Sequence, residues 1–368
     1  MDNTKIGNKE AVSLLVTITF THIILNITKS IINLTSSASL LNILYVGIIS
    51  IIFTCIVCYF LNKFPTFDLL DISNYLGGNL LKWIIGIAYV AYFVFFGGIL
   101  LHLFSSFLQI IYYPLTKLFY IILFLLIGAV ISCCMKHNAV YRSISIFFPF
   151  IIISLIFLFF ADTPYYDVEK IYPIFGNGLY TTFVSGLCNM FAFQALAYIY
   201  FMPPMLKNPE QIKKISINAI VLSCIFLLAS LAIIIFMFSG LPTPDELMPL
   251  YTVTKYIEFG SFFRKLDSLY FLIWIIAFVS FLSINLKFSG NILRKLTNSK
   301  KDLLFIGILA IAVLIISLVP KNYTISTYCS NIVYKYAFFI LVIGISFLVL
   351  LFATIKKLIK STMRRWLK

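Results

Sequence analysis

Ten stretches of this chain are each about long enough to cross a hydrocarbon core of ~30 Å and carry almost no charge. They run over residues 11–34, 40–61, 83–111, 118–134, 143–161, 178–201, 215–239, 267–290, 303–319 and 331–355. In lipid every backbone N–H and C=O must find its partner within the protein, so such stretches fold as helices. One fold class remains: an all-α polytopic membrane protein with about ten transmembrane helices. Composition agrees, because 61% of the 368 residues are apolar and 11% are charged. A soluble domain of that size cannot bury so much apolar surface. The first apolar run exceeds a signal-peptide core and lacks a small-residue cleavage site after it, so it counts as a helix.

Charge bias sets the expected orientation. With the N-terminus in the cytoplasm, the inner segments hold 20 of the 28 Lys and Arg, and seven of the 13 acids lie outside. Both termini are therefore expected to be cytoplasmic. The net charge of +15 reflects topology and an anionic inner leaflet, and gives no reason to invoke nucleic acid.

The signatures of soluble enzymes are absent: no phosphate loop, no GxSxG and no HExxH. Cys55 and Cys58 form a CxxC inside an apolar helix with no second pair, and the other five cysteines scatter along spans. Three histidines, His22, His102 and His137, assemble no zinc or iron cluster, so neither cofactor nor metal is expected.

Polar residues inside the spans carry the functional signal. The stretch 178–209 holds Gly186, Asn189 and Gln194 near mid-depth and stops at Pro203-Pro204. Gly186, Asn189 and Phe193 share a face at i, i+3 and i+7, which either packs against another helix or lines a cavity. In the first span Thr19, His22, Asn26, Lys29 and Asn33 form a polar stripe down one side. Lys29 either snorkels outward or pairs in a cavity, whereas His22 and Asn26 lie too deep to escape. Asn26 to Ser30 is a weak helix former and a plausible break point.

Span three gathers Tyr89, Tyr92, Phe93, Phe95, Phe96, Gly97, Gly98 and His102. Such a group walls a pocket or lets another helix approach closely. The outer connection 240–266 places Leu247, Leu250, Tyr251, Thr254 and Ile257 on one side of a helix, which lies on the membrane or folds in as a lid. In span eight Asp267, Tyr270 and Trp274 share a face. Spans two and seven read as scaffold.

Four segments resemble the spore germination permease family, the integral-membrane B subunit of germinant receptors. They are HIILNITKSI, YFMPPMLKNPEQIKKI, MPLYTVTKYIEFGSFFRKLD and LDSLYFLIWI, and the likeness covers nearly the whole chain. The family belongs to the amino acid–polyamine–organocation transporter superfamily. The resemblance implies one transmembrane domain with a LeuT-like five-plus-five inverted repeat, about 11–161 and about 178–355, a basic cytoplasmic tail at 356–368, and broken helices 1 and 6. Many superfamily members break helix 1 at a glycine-rich turn, whereas Asn26 to Ser30 contains no glycine.

The implied function is sensing of a small germinant, most simply an amino acid, in the inner membrane of the spore. Partners would be a membrane A subunit and a lipoprotein C subunit. Implied ligand-binding residues are His22 and Asn26 on span one, Tyr92 and Phe96 on span three, Asn189, Phe193 and Gln194 on span six, and Tyr270 and Trp274 on span eight. Lys29 would draw a carboxylate toward the entrance. On this reading Gln194→Leu weakens the germinant response more than it weakens folding. A secondary transporter of amino acids or related cations, and a ligand-free structural partner, are the rival readings.

Overall fold

The computed structural model describes residues 5–135, 139–238, 248–255 and 267–366. Among the described residues the secondary structure is helical, apart from one isolated parallel β-bridge between Ile6 and Leu206. In chain order the helices are α1 (Asn8–His22), α2 (Thr28–Thr35), α3 (Ser39–Leu61), α4 (Leu69–Ile111), α5 (Leu118–Cys134) and α6 (Ala139–Ala161). Two short pieces follow, α7 (Leu179–Phe183) and α8 (Ala195–Ile199), then α9 (Ile212–Met237), α10 (Pro249–Thr254), α11 (Asp267–Thr297) and α12 (Asp302–Leu318). The chain ends in α13 (Tyr323–Tyr328), α14 (Tyr334–Ala337) and α15 (Ser346–Trp366), joined by π-helical turns over Cys329–Val333 and Phe338–Ile345.

Among the described residues six helical stretches are long and apolar enough to cross a bilayer: Asn8–Asn62, Leu69–Ile111, Val140–Ala161, Pro209–Met237, Tyr270–Thr297 and Tyr323–Lys360. The helices α5 and α12 are apolar but shorter. The first stretch, at 55 residues, turns back at Ser36, whose φ of 52° lies in the left-handed region. Its two ends are tied close together. Ile6 N–H donates to the Met205 carbonyl at 2.9 Å, and Leu69 N–H donates to the Tyr200 carbonyl at 3.1 Å. On the same side, Lys356 donates to the Tyr75 and Leu76 carbonyls at 3.0 and 2.9 Å. Residues 6 and 356 therefore lie at one end of the bundle, the basic end.

Burial runs opposite to that of a soluble protein. On α3 the outward face carries Leu44, Ile48, Ile52 and Ile56, all exposed, while Asn42, Ser50 and Thr54 are fully buried. On α12 Leu304, Ile308, Ile311 and Ile315 point out. Apolar stripes repeated at helical spacing on the outside suit hydrocarbon and not water. Inside, small residues let helices approach. Ser216, Ser223 and Ser230, seven apart on α9, are fully buried, and α9 packs along α3. This fits the scaffold reading of spans two and seven.

Two local features depart from plain helix. In α4 an Asp68/Asp71 capping box starts the helix, and a kink follows at Gly77-Gly78. Gly78 adopts φ 71°, a conformation that side chains with a Cβ resist, so a short helix precedes the long span. The break expected in helix 1 needs correction. Backbone angles remain helical from α1 through Ile23–Ile27 into α2, and the disturbance is one widened π-helical turn. With no glycine or proline there, full unwinding would strand buried backbone groups, and one wider turn is the smaller disruption.

The sixth segment, by contrast, is broken. After α7 it tightens to 3₁₀ geometry over Ser185–Ala192, leaves helical geometry at Phe193 (φ −86°, ψ 62°) and resumes as α8.

Candidate functional site

The widened turn of the first helix carries Asn26, and the turn before it carries His22. Both side chains are buried. The His22 ring lies edge-on to Phe96 of α4 and to Phe191 of the broken segment, with centroids 5.6 Å away in each case. Neither ring nitrogen of His22 has a hydrogen-bonding partner among the described residues, nor has the Thr19 hydroxyl one turn earlier. Asn26 donates from Nδ2 to Asn331 Oδ1 at 3.0 Å, while its own Oδ1 has no partner among the described residues. Asn331 sits in the π-helical turn Cys329–Val333, so two widened turns face each other through their amides.

Three residues beyond Asn331, Tyr334 stacks on Phe96 at 4.1 Å and on Tyr92 at 4.9 Å. The Tyr334 hydroxyl donates to Gln194 Oε1, and the Tyr92 hydroxyl, 3.3 Å from that oxygen and in reach of the Tyr334 oxygen, donates its one proton to either of the two. Gln194 Nε2 donates to the Phe191 carbonyl at 2.6 Å. The non-helical backbone at Phe193 is thus held by a side-chain network from α4 and α14. His22, Asn26, Tyr92, Phe96 and Gln194 form one connected group.

The remaining expected residues lie elsewhere. Asn189 donates to Asn42 Oδ1 at 2.7 Å, and Asn42 donates to the Thr182 carbonyl at 2.7 Å, so Asn189 faces α3. In 3₁₀ geometry residues three apart eclipse, which puts Gly186 beside Asn189 and hard against the Asn42 amide. Phe193 is fully buried and also turns toward α3, near Gly47. Asn26 and Asn189 therefore take different partners on different helices. Lys29 is half-buried at the start of α2.

Tyr270 and Trp274 lie nearer the far end of the bundle. Trp274 meets the Tyr251 ring at 6.5 Å, and Tyr270 faces Phe157 of α6 at 6.2 Å. Phe281, which touches Phe96, is seven residues further along α11, or about 10 Å. The described part of the outer connection, 248–255, folds inward. Tyr251 packs on Phe107 at 5.1 Å and donates to Asp267 Oδ2 at 3.2 Å, while Lys255 covers its ring at 4.9 Å. Leu247 and Ile257 lie outside the described residues.

Sequence reading missed Asn42, Phe191, Asn331 and Tyr334. Asn42 and Asn331 had the same signal as Asn26, an amide in an apolar span. The two aromatic residues had none, since such residues are common throughout the spans.

The connected group has donors, acceptors and aromatic walls but no charged side chain. Among the described residues no cluster of three His, Cys, Asp or Glu could hold a metal ion. A polytopic helical bundle, apolar outside and polar at its broken centre, defines an integral membrane protein of permease type. The chain belongs to the spore germination protein family, whose sequence model matches residues 5–326. No individually curated protein matches it.

Proposed function

We propose that this protein is the germinant-sensing membrane subunit of a spore germinant receptor. It binds a small amino-acid-like nutrient beside the broken sixth segment and signals to an A subunit in the membrane and a lipoprotein C subunit. The observation that carries this reading is His22, fully buried between Phe96 and Phe191 with both ring nitrogens free to bond. Buried polar groups are normally satisfied, so a nitrogen pair aimed into an aromatic-walled centre suits a polar ligand. Neutral imidazole offers one donor and one acceptor, and the free oxygen of Asn26 adds an acceptor for an ammonium group.

The family's architecture would make α1–α2 and the 179–205 segment counterparts in a five-plus-five inverted repeat. The chain would sit in the inner spore membrane with both termini in the cytoplasm. Ligand shifts the receptor only through different affinities for its two states. Phe193 and Gln194, at the non-helical joint, are where such a difference would be felt.

The test is binding of an amino-acid panel to the purified receptor complex, wild type against His22→Phe and Asn26→Leu. Loss of binding with intact assembly is expected. Unaltered affinity in both variants would remove the ligand from this centre. Accumulation of labelled amino acid in proteoliposomes of the chain alone would favour the transporter reading instead.

A further inference from the structure

Where α11 reaches the basic end it carries Lys287, Asn291, Arg294 and Lys295 at i, i+4, i+7 and i+8, one face of the helix. These residues line a cavity of about 580 Å³, with Tyr141 of α6 and Asp302 of α12 opposite. Most charge there is matched. Lys295 Nζ lies 2.7 Å from Asp68 and 2.5 Å from Asp71, and Arg294 lies 3.3 Å from Asp302. Lys287 is different. It is 7% exposed, and it makes neither a hydrogen bond nor an ion pair with a described residue.

An ammonium group brings three donors and no acceptor, and that of Lys287 stands at the cavity on a mostly buried side chain. Asp68, Asp71 and Asp302 are held by Lys295 and Arg294, so Lys287 has no carboxylate of its own. Beside it stand neutral polar groups, the Asn291 amide and the Tyr141 hydroxyl. Phe201, Phe288 and Ile306 supply apolar wall. The centre described above is a separate place, since Phe288 lies seven residues, about 10 Å, beyond Phe281 along α11.

We propose that this cavity is a binding site for an anionic amphiphile, a carboxylate or phosphate head seated on Lys287 with its apolar body against Phe201, Phe288 and Ile306. An oxyanion supplies the acceptors that Lys287 lacks, and a charge-assisted bond of this kind is among the stronger ones. The chemistry has two possible sources, a soluble organic anion and the head group of an anionic lipid at the inner leaflet. This site does not depend on the germinant reading.

The test uses the full chain purified in a neutral detergent. Thermal unfolding is followed with hexanoate, acetate or inorganic phosphate, each against chloride at equal ionic strength. A parallel arm compares nanodiscs of phosphatidylcholine with nanodiscs containing phosphatidylglycerol. A saturable, anion-specific rise in the unfolding midpoint is expected in at least one arm, and the responding arm identifies the source. Lys287→Met should abolish the rise and Lys287→Arg should keep it. Asn291→Leu, which leaves the charge in place, should weaken apparent affinity, roughly tenfold for a loss of about 1.4 kcal/mol. A wild type that responds equally to chloride and to every other anion and lipid overturns the proposal. So does a Lys287→Met protein that keeps the full response, or, if that variant does not fold, an Asn291→Leu protein with unchanged affinity.

Discussion

Replacing Gln194 by Leu removes the amide that ties the broken sixth segment to two other helices. Its oxygen accepts from the Tyr92 and Tyr334 hydroxyls, and its nitrogen donates to the Phe191 carbonyl. Polar contacts in membrane proteins average about 0.6 kcal/mol, so three of them give roughly 2 kcal/mol. Groups left without a partner add to this. The two tyrosines still bond each other, so one hydroxyl and one carbonyl lose a partner, at about 1–3 kcal/mol for each buried orphan. The expected loss lies between about 4 and about 8 kcal/mol. Because both ends of the amide are occupied by protein, the variant should lose folding stability first, and the expectation of a selective loss of response shifts accordingly.

Reversible unfolding in mixed micelles of rising SDS content, followed by tryptophan fluorescence, measures the change. Tyr334→Phe, which removes one hydroxyl and leaves the amide in place, should cost about 1 kcal/mol. The double variant should cost less than the sum of the single ones, because the two residues share a bond. A Gln194→Leu protein within about 0.5 kcal/mol of wild type, a range typical of uncoupled surface changes, would show that the network does not support the joint.

Two further outcomes follow from single residues. Asp162, just past the end of α6, is fully buried with neither carboxylate oxygen hydrogen-bonded among the described residues, and burial raises its pKa from 3.8 to about 7. Between those values the folded protein holds a proton that the unfolded chain has released, so stability falls as pH rises through that window and stays low above it. Unfolding midpoints at pH 5 and pH 8 should differ in the wild type, by at most about 3 kcal/mol in stability, and should converge in Asp162→Asn. Gly186→Ala places a methyl group against the Asn42 amide and 3.1 Å from the Thr181 carbonyl, so it should part Asn42 from Asn189. A cost of about 1–3 kcal/mol is expected in the same unfolding assay, and an unchanged midpoint would show that the 3₁₀ segment yields freely.

Membrane residence, helical class and family were legible in the chain because they rest on one-dimensional quantities. Runs of some twenty apolar residues report the hydrocarbon thickness, and motifs such as MPPMLKNPEQIKKI are contiguous in sequence. The polar centre of the sixth span was legible for the same reason, since Gly186, Asn189 and Gln194 lie within one stretch, whereas its break came only with the family likeness. The form of the first helix was not. Asn26 to Ser30 marks a weak point, but whether it unwinds or widens depends on what can satisfy its backbone, and the fold supplies a widened turn opposite Asn331. Partnership was likewise a tertiary matter. Asn26, Asn189 and Gln194 carry the same kind of amide, yet helix packing sends them to Asn331, Asn42 and the Tyr92–Tyr334 pair. An amide in an apolar span announces that a partner is needed. Which atom answers depends on crossings between segments as many as 305 positions apart, and no local pattern encodes that.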